Sequence, residues 1–260
     1  MLINLHNHTP LCNHATGTID EYIQKAIKSN ISYFGFSDHA PMNFDKEYRM
    51  DISDCYNYEN NVLKYKEKYK NNINILLAYE VDYIYNYLED RILNANVDYL
   101  IGSVHFIKEW GFDNPKFIKE YKNRNIDDIW QDYFDSIEQM ANSGYFNIVG
   151  HLDLIKVFNF LPKKDIKSIA KKSIIAIKKN NMIVEVNSSG LRKPVAEQYP
   201  SRQLLELCLE YDIDITFSSD AHKISHIDKG LSEIYNIARD VGYSKMAIFK
   251  DKEKIFLPFD

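Results

Sequence analysis

Short apolar runs alternate with amphipathic helical segments along the chain, and this alternation limits the possible folds more than any other feature. Strand–helix alternation predicts a parallel sheet covered by helices. Seven such units, with polar residues at most strand ends, favour a closed barrel over an open sheet. We therefore predict a single α/β domain over residues 1–260, with strand-like runs at 3–9, 33–39, 73–83, 99–105, 147–151, 183–187 and 214–222.

Two helices have clear start signals in the sequence. The segment Thr18-Ile19-Asp20-Glu21 has the pattern of a capping box. Asn125 precedes a helix whose apolar residues lie on one side. Residues 107–124 are predicted to be a long loop with some helix, and the tail at 246–255 is a candidate further strand. The other helices are predicted at about 53–69, 88–93, 164–179, 201–211 and 229–241.

The composition indicates a soluble globular protein and disfavours two classes of partner. Apolar residues make up 45% of the chain and charged residues 27%, as in ordinary soluble domains. The net charge of −5 disfavours a nucleic-acid-binding surface. No apolar run reaches transmembrane length, and residues 1–20 lack the features of a signal peptide. We predict a cytoplasmic protein with no membrane partner and, with only Cys12, Cys55 and Cys208, no disulfide framework.

The first strand-like run ends in two histidines, His6 and His8. Side chains at positions i and i+2 of a strand face the same side, so these two imidazoles point together into one space. Two converging imidazoles at the end of a strand can hold a metal ion. An isolated His-x-His pair would be better explained as two core or surface histidines, so the prediction depends on the rest of the chain.

Metal-binding side chains recur at the ends of the other strand-like runs. Each one alone would be explained as a core histidine, an ion-pair partner or a turn residue. Together, their repeated placement at strand ends favours a metal site, because barrel active sites form there. Nine groups exceed the needs of one ion, so two or three divalent ions of zinc, iron or manganese are predicted. The candidate ligands are His6, His8, His14, His39, Glu80, His105, His151, Asp220 and His222.

Two further residues lie near these groups in the sequence and have side chains that can bind metals. Cys12, close to His14, could be a soft ligand but is better explained as a small loop residue. His226 lies beyond the last strand end and is predicted to be on the surface.

The motifs resemble those of the polymerase-and-histidinol-phosphatase (PHP) superfamily over essentially the whole chain. The resemblance rests on the His-x-His start, Ser37-Asp38-His39, Gly150-His151 and Ser219-Asp220-Ala221-His222. The stretches at 150–156 and 185–192 resemble its histidinol-phosphatase branch more closely. The resemblance implies a distorted (β/α)7 barrel, a trinuclear metal centre and hydrolysis of L-histidinol phosphate to L-histidinol and phosphate in histidine biosynthesis.

The resemblance also assigns the ligands to three metals, with Glu80 shared between two of them. It places His6, His8, Glu80 and Asp220 on the first metal, Glu80, His105 and His151 on the second, and His14, His39 and His222 on the third. Asp38, Asp82 and Asp153 lie next to, or two residues beyond, ligands and are candidates to orient imidazoles.

The expected mechanism needs no protein nucleophile. A hydroxide that bridges two metals would attack phosphorus in line, and Asp220 and His222 are candidates to assist. Arg192 lies in a loop rich in small residues after the sixth run, where a guanidinium could bind phosphate oxygens bidentately. Lys156 is a second candidate for substrate binding, and Lys193 is a weaker third.

Two other functions remain open from the sequence. One is a different phosphoesterase of the superfamily, such as a nucleotide phosphodiesterase, an exonuclease, a protein-tyrosine phosphatase or a general phosphomonoesterase. The other is a metal-binding protein or scaffold without catalysis, against which the full ligand set and Arg192 argue. Oligomeric state is not predicted.

Overall fold

The computed structural model describes residues 1–259, in which seven parallel strands form one sheet that curves into a nearly closed barrel. The strand order is β1-β2-β3-β4-β7-β8-β9. The strands are β1 (Leu2–Asn4), β2 (Ile31–His39), β3 (Asn74–Asp82), β4 (Tyr99–Ser103), β5 (Phe106–Ile107), β6 (Trp110–Gly111), β7 (Ile148–Val149), β8 (Ile183–Asn187), β9 (Ile215–Ser218), β10 (Lys245–Lys250) and β11 (Glu253–Pro258). The helices are α1 (Ile19–Lys28), α2 (Cys55–Lys68), α3 (Asp90–Leu93), α4 (Ile126–Asn142), α5 (Ile166–Lys179), α6 (Arg202–Glu210) and α7 (Leu231–Val241).

The barrel closes where its first and last strands meet. The backbone NH of Leu5 donates to the carbonyl of Phe217 at 3.0 Å, and the NH of His8 donates to the carbonyl of Ala221 at 3.0 Å. Because the barrel strands are parallel, their C-terminal ends open on one face. The prediction of an α/β barrel built on a parallel sheet is confirmed.

The two helices with start signals begin where the sequence predicts. The Thr18 side chain accepts from the backbone NH of Glu21, and the Glu21 carboxylate accepts from the NH of Thr18 at 2.8 Å. Asn125 accepts from the backbone NH of Asp127 and caps α4. Each cap satisfies a helix NH that would otherwise have no partner.

A tyrosine on β4 fixes the end of β1, which carries the first two histidines. The Tyr99 hydroxyl donates to the carbonyl of Leu5 at 2.5 Å. A Cβ atom at Gly35 would lie 1.8 Å from this hydroxyl, so a larger residue on β2 would displace it. The backbone just before His6 is thus held from inside the barrel.

Three regions differ from the sequence predictions. Residues 106–124 contain the antiparallel β5–β6 hairpin and a 3-10 helix at Pro115–Lys122. The tail forms the antiparallel β10–β11 hairpin, a second sheet outside the barrel sheet. The predicted strand at 147–151 is only Ile148–Val149, because the backbone of His151 turns to a positive φ of 22°. Within residues 1–259, no helix combines the length and the apolar character needed to cross a bilayer.

Candidate metal centre

The nine predicted ligands lie together at the C-terminal ends of the barrel strands. His6 and His8 follow β1, His39 ends β2, and Glu80 lies near the end of β3. The remaining ligands lie in the loops that follow β1, β4, β7 and β9. Seven of the nine line a cavity of about 640 Å³, whereas His6 and His8 are fully buried beside it. The lining ligands are His14, His39, Glu80, His105, His151, Asp220 and His222.

The candidate ligand atoms fall into groups that share Glu80. One Glu80 oxygen lies 2.9 Å from His151 Nε2, and the other lies 2.9 Å from His39 Nδ1 and 3.2 Å from His6 Nε2. Within each group, the atoms that could bind an ion lie within 4.8 Å of one another. The groups are His6, His8 and Glu80; Glu80, His105 and His151; His14, His39 and His222; and His8, Cys12 and His222.

The chemistry of these groups fits divalent transition-metal ions. Within residues 1–259, the buried nitrogens His151 Nδ1 and His222 Nε2 have no hydrogen-bond partner, and His6 Nε2 and His8 Nε2 lie 3.2 Å from carboxylate oxygens without forming a well-aligned hydrogen bond. In that same part of the chain, no lysine or arginine lies within ion-pair distance of the Glu80 or Asp220 carboxylates; imidazoles surround both, and Glu80 also accepts from the Ser103 hydroxyl at 2.7 Å. Buried carboxylates without a cation and imidazoles without partners are stabilised by a bound metal.

Carboxylates behind the imidazoles orient three of the ligands. His105 Nδ1 lies 2.5 Å from Asp82, and His8 Nδ1 lies 3.4 Å from Asp38. His6 Nδ1 contacts both oxygens of Glu185, at 3.0 and 3.1 Å. Such contacts fix the imidazole tautomer and direct the other ring nitrogen toward the metal. The structure thus places two of the three predicted orienting aspartates behind ligands.

The buried charges shift the pKa values of the ligands in opposite directions. Burial alone would lower the pKa of His105, but the charge of Asp82 outweighs burial and raises it to about 10. Burial lowers the pKa of His39 to about 4. Burial alone would raise the pKa of Glu80, but the neighbouring His6, His39 and His105 hold it well below its ordinary value. Glu80 is therefore an anionic candidate ligand.

Two of the ligands have a strained backbone. His151 has a φ of 22° and Asp220 a φ of 50°, in the left-handed region that L-residues seldom adopt. Strain of this kind persists only where the surrounding structure imposes it, and it concentrates at functional sites.

Arg192 lines the cavity next to Asp220, in the 3-10 turn that follows β8. Its Nη2 donates to the carbonyls of Ser219 at 2.6 Å and Asp220 at 3.4 Å, while its Nη1 contacts of 3.4–3.5 Å are long. Gly190 in this turn packs against the carbonyl of Glu197, where a Cβ would be 2.0 Å away. A glycine is therefore needed at this position for the loop to pack. The Arg192 guanidinium is the group of this turn that faces the cavity.

The structure does not support Lys156 as a substrate contact. Its side chain is 1% exposed and is absent from the cavity wall. Its ammonium donates to Glu197 at 2.6 Å and to the carbonyl of Gln198 at 2.7 Å, and lies 3.1 Å from Asp153. Asp153, predicted as an orienting carboxylate, therefore pairs with Lys156 and contacts no ligand imidazole.

The sequence analysis missed several residues of the site. Glu185 lies in a buried apolar strand, and the pattern of apolar and polar residues in that strand does not indicate that its carboxylate contacts His6. Asp113 lies in an irregular segment and Tyr48 ends the 3-10 helix Lys46–Tyr48, and both line the cavity. His226 was predicted on the surface, but it is half-buried and also lines the cavity.

The chain is similar in sequence and in fold to known proteins. Residues 4–189 match the PHP domain family. The chain is 34% identical over 246 residues to a protein of Deinococcus radiodurans named probable histidinol-phosphatase, covering 93% of this chain and 94% of that one. It is 28% identical to the histidinol-phosphatase of Bacillus subtilis, covering 94% and 97%. The histidinol phosphate phosphatase of Lactococcus lactis, solved with zinc, L-histidinol and phosphate, has a TM-score of 0.83 at 16% identity and covers 98% of both chains.

Proposed function

The chain belongs to the PHP domain family, and we propose that it is a metal-dependent histidinol-phosphatase, which hydrolyses L-histidinol phosphate to L-histidinol and phosphate. The observation that carries the proposal is the set of imidazoles and carboxylates around Glu80, which opens into a cavity large enough for a small phosphate ester. The full-length similarity to proteins named histidinol-phosphatase supports the choice of substrate.

Each group of ligands has a defined place in the proposal. His6, His8, Glu80 and Asp220 would hold one ion, Glu80, His105 and His151 a second, and His14, His39 and His222 a third. When bound, the ions would supply Lewis-acid activation of the phosphoryl group and of the attacking water. The carboxylates of Asp38, Asp82 and Glu185 keep the ligand imidazoles in place.

The protein's own side chains would position the ester. In the proposal, the carbonyls of Ser219 and Asp220 hold the Arg192 guanidinium, and its remaining donors bind the phosphate. Within residues 1–259, Nε of Arg192 donates to no protein acceptor, so a donor is free for this contact. Asp220 and His222 lie at the same wall of the cavity and are candidates to hold the proton needed by the leaving alkoxide.

The test is hydrolysis by protein of defined metal content. Elemental analysis should give two to three transition-metal equivalents per chain, and kcat/KM should be highest for histidinol phosphate among phosphorylated metabolites. Parallel assays on dinucleotides and simple phosphomonoesters separate the other PHP activities. A fully active preparation with one metal equivalent or none would contradict the multinuclear centre, and a preference for another ester would contradict the substrate.

A further inference from the structure

Five carboxylates line the cavity, and four of them have partners in the protein. Asp45 and Asp82 contact the Arg49 guanidinium at 3.3 and 3.0 Å. Glu80 and Asp220 contact the ligand imidazoles. Asp113 is different, since it has no hydrogen bond or ion pair with any residue in the range 1–259. A half-buried carboxylate without a partner is costly unless a ligand supplies one.

Asp113 lies in the segment that covers one side of the cavity. It follows the β5–β6 hairpin and precedes the 3-10 helix at Pro115–Lys122. From this segment, Phe106 and Phe117 also line the cavity, and Phe117 is 48% exposed. The Asp113 carboxylate and solvent-accessible aromatic surface thus line the same side of the cavity.

Four lysine and arginine side chains line the cavity; Arg49 pairs with Asp45 and Asp82, and the other three come from a different part of the chain. Arg192, Lys193 and Lys229 belong to the loops after β8 and β9. The side of the cavity formed by Arg192, next to Asp220, is cationic, whereas another part of the wall has one unpaired carboxylate and two aromatic rings. The charge of His105 acts on Asp113 more strongly than that of the exposed Lys193, but within residues 1–259 neither group lies within ion-pair distance of its carboxylate. Such an arrangement suits a ligand with a phosphate at one end and a cation next to a flat ring at the other.

We propose that Asp113 binds the ammonium group of the substrate and selects phosphate monoesters that carry a primary amine, with Phe106 and Phe117 beside the imidazole ring. The inference rests on the proposed function, because L-histidinol phosphate has the phosphate, the amine and the ring that this cavity accommodates. Asp113 is a specificity-determining residue in this account and takes no part in the chemical step.

The test compares Asp113→Asn with the wild type on two substrates. One is L-histidinol phosphate, and the other is its analogue without the amine, 3-(imidazol-4-yl)propyl phosphate. The variant keeps the shape of the side chain and removes its charge. We expect kcat/KM to fall about ten- to a hundredfold on histidinol phosphate and less than about threefold on the analogue. The dissociation constant of the product L-histidinol, measured by calorimetry, should rise by a similar factor.

Two controls accompany the comparison. Asp128→Asn, on the exposed side of α4, should leave both substrates unchanged. The unfolding temperature and metal content of Asp113→Asn should equal those of the wild type, because the carboxylate has no partner in the fold. Loss of metal in this variant would make Asp113 a ligand and overturn the inference.

The outcomes separate the two proposals. If wild-type protein hydrolyses histidinol phosphate and Asp113→Asn loses the same factor on both substrates, or nothing on either, the amine site is wrong and the proposed function stands. If wild-type protein with its full metal content hydrolyses neither substrate, the proposed function fails and the inference fails with it.

Discussion

Two buried clusters of charged side chains differ in the source of their positive charge. In the first, the Lys156 ammonium lies within 3.1 Å of carboxylate oxygens of Asp153 and Glu197. In the second, Glu80 and Asp220 have no lysine or arginine partner within residues 1–259, and their ion-pair contacts are to imidazoles. The first cluster carries its own cation and stabilises the fold. Within residues 1–259 the second contains no lysine or arginine, and imidazoles grouped around buried carboxylates are the ligand set of a transition-metal site.

The largest effect should follow from removing the shared carboxylate. Glu80→Gln keeps the side-chain shape but removes the charge that contacts five imidazoles. We expect a loss of metal and a fall in kcat/KM of more than about a thousandfold, or about 4 kcal/mol. Metal analysis and steady-state kinetics check this, with the exposed Glu253→Gln as the control. Metal content and turnover near those of the wild type would show that Glu80 bridges no ions.

The second effect should fall on stability instead of catalysis. Lys156→Met leaves Asp153 buried without its cation, which should lower the free energy of unfolding by about 3–5 kcal/mol. Denaturant unfolding measures this, and the exposed Lys171→Met should change it by less than about 0.5 kcal/mol. The kcat/KM of the folded, metal-loaded variant should stay within about threefold of the wild type. A stable variant with a much higher KM would restore Lys156 as a substrate contact.

A smaller loss is expected at the cationic side of the cavity. Arg192→Ala should cost about 2–4 kcal/mol in transition-state stabilisation, or roughly thirty- to a thousandfold in kcat/KM. Lysine should replace it poorly, because a point charge lacks the bidentate geometry of the guanidinium. Metal content should not change, since Arg192 is not a ligand.

The control for Arg192 is an arginine outside the cavity. Arg202 pairs with Glu206 on the surface of α6, and Arg202→Ala should leave kcat/KM unchanged. An Arg192→Ala variant within about threefold of the wild type corresponds to well under 1 kcal/mol. That result would leave phosphate binding to the metal ions.

The grouping of the candidate ligands could be predicted from the sequence because two simple regularities apply to them. Alternation along a strand places His6 and His8 on the same side, and parallel strands bring their C-terminal ends to one face. His39 and Glu80, which lie in register on neighbouring strands, follow from the same two rules. One rule depends on neighbouring positions in the chain and the other on the order of strands and helices. Both can therefore be read from the sequence pattern.

The supporting residues could not be predicted because their partners are set by three-dimensional packing. Glu185 and His6 are 179 positions apart and meet only because β8 and β1 belong to one barrel. Lys156 follows β7 at the catalytic end, as predicted, but its side chain turns away toward Glu197. Asp113 lies in an aromatic segment without periodicity, so nothing in the sequence indicates its position in the cavity wall.

The smallest of the expected effects concerns Glu185, which we treat as a positioning residue. Its oxygens contact His6 Nδ1 and also accept from the backbone NH of His151 at 3.2 Å and from Asn187 Nδ2 at 2.7 Å. One carboxylate therefore fixes two residues of the metal centre. Glu185→Gln removes the charge behind His6 and should weaken metal binding about ten- to a hundredfold. Competition with a chelator measures this affinity without an activity assay.

The matched control separates the charge of Glu185 from its packing. The Ser218 hydroxyl donates to the same carboxylate, so Ser218→Ala removes one hydrogen bond and keeps the contact between Glu185 and His6. Metal affinity should fall much less in Ser218→Ala than in Glu185→Gln, and Glu185→Asp should recover part of the loss. Equal losses in the serine and glutamine variants would mean that local packing, and not the carboxylate charge, orients His6. In that case, the carboxylates behind His8 and His105 would need the same test before any of them is assigned a part in metal binding.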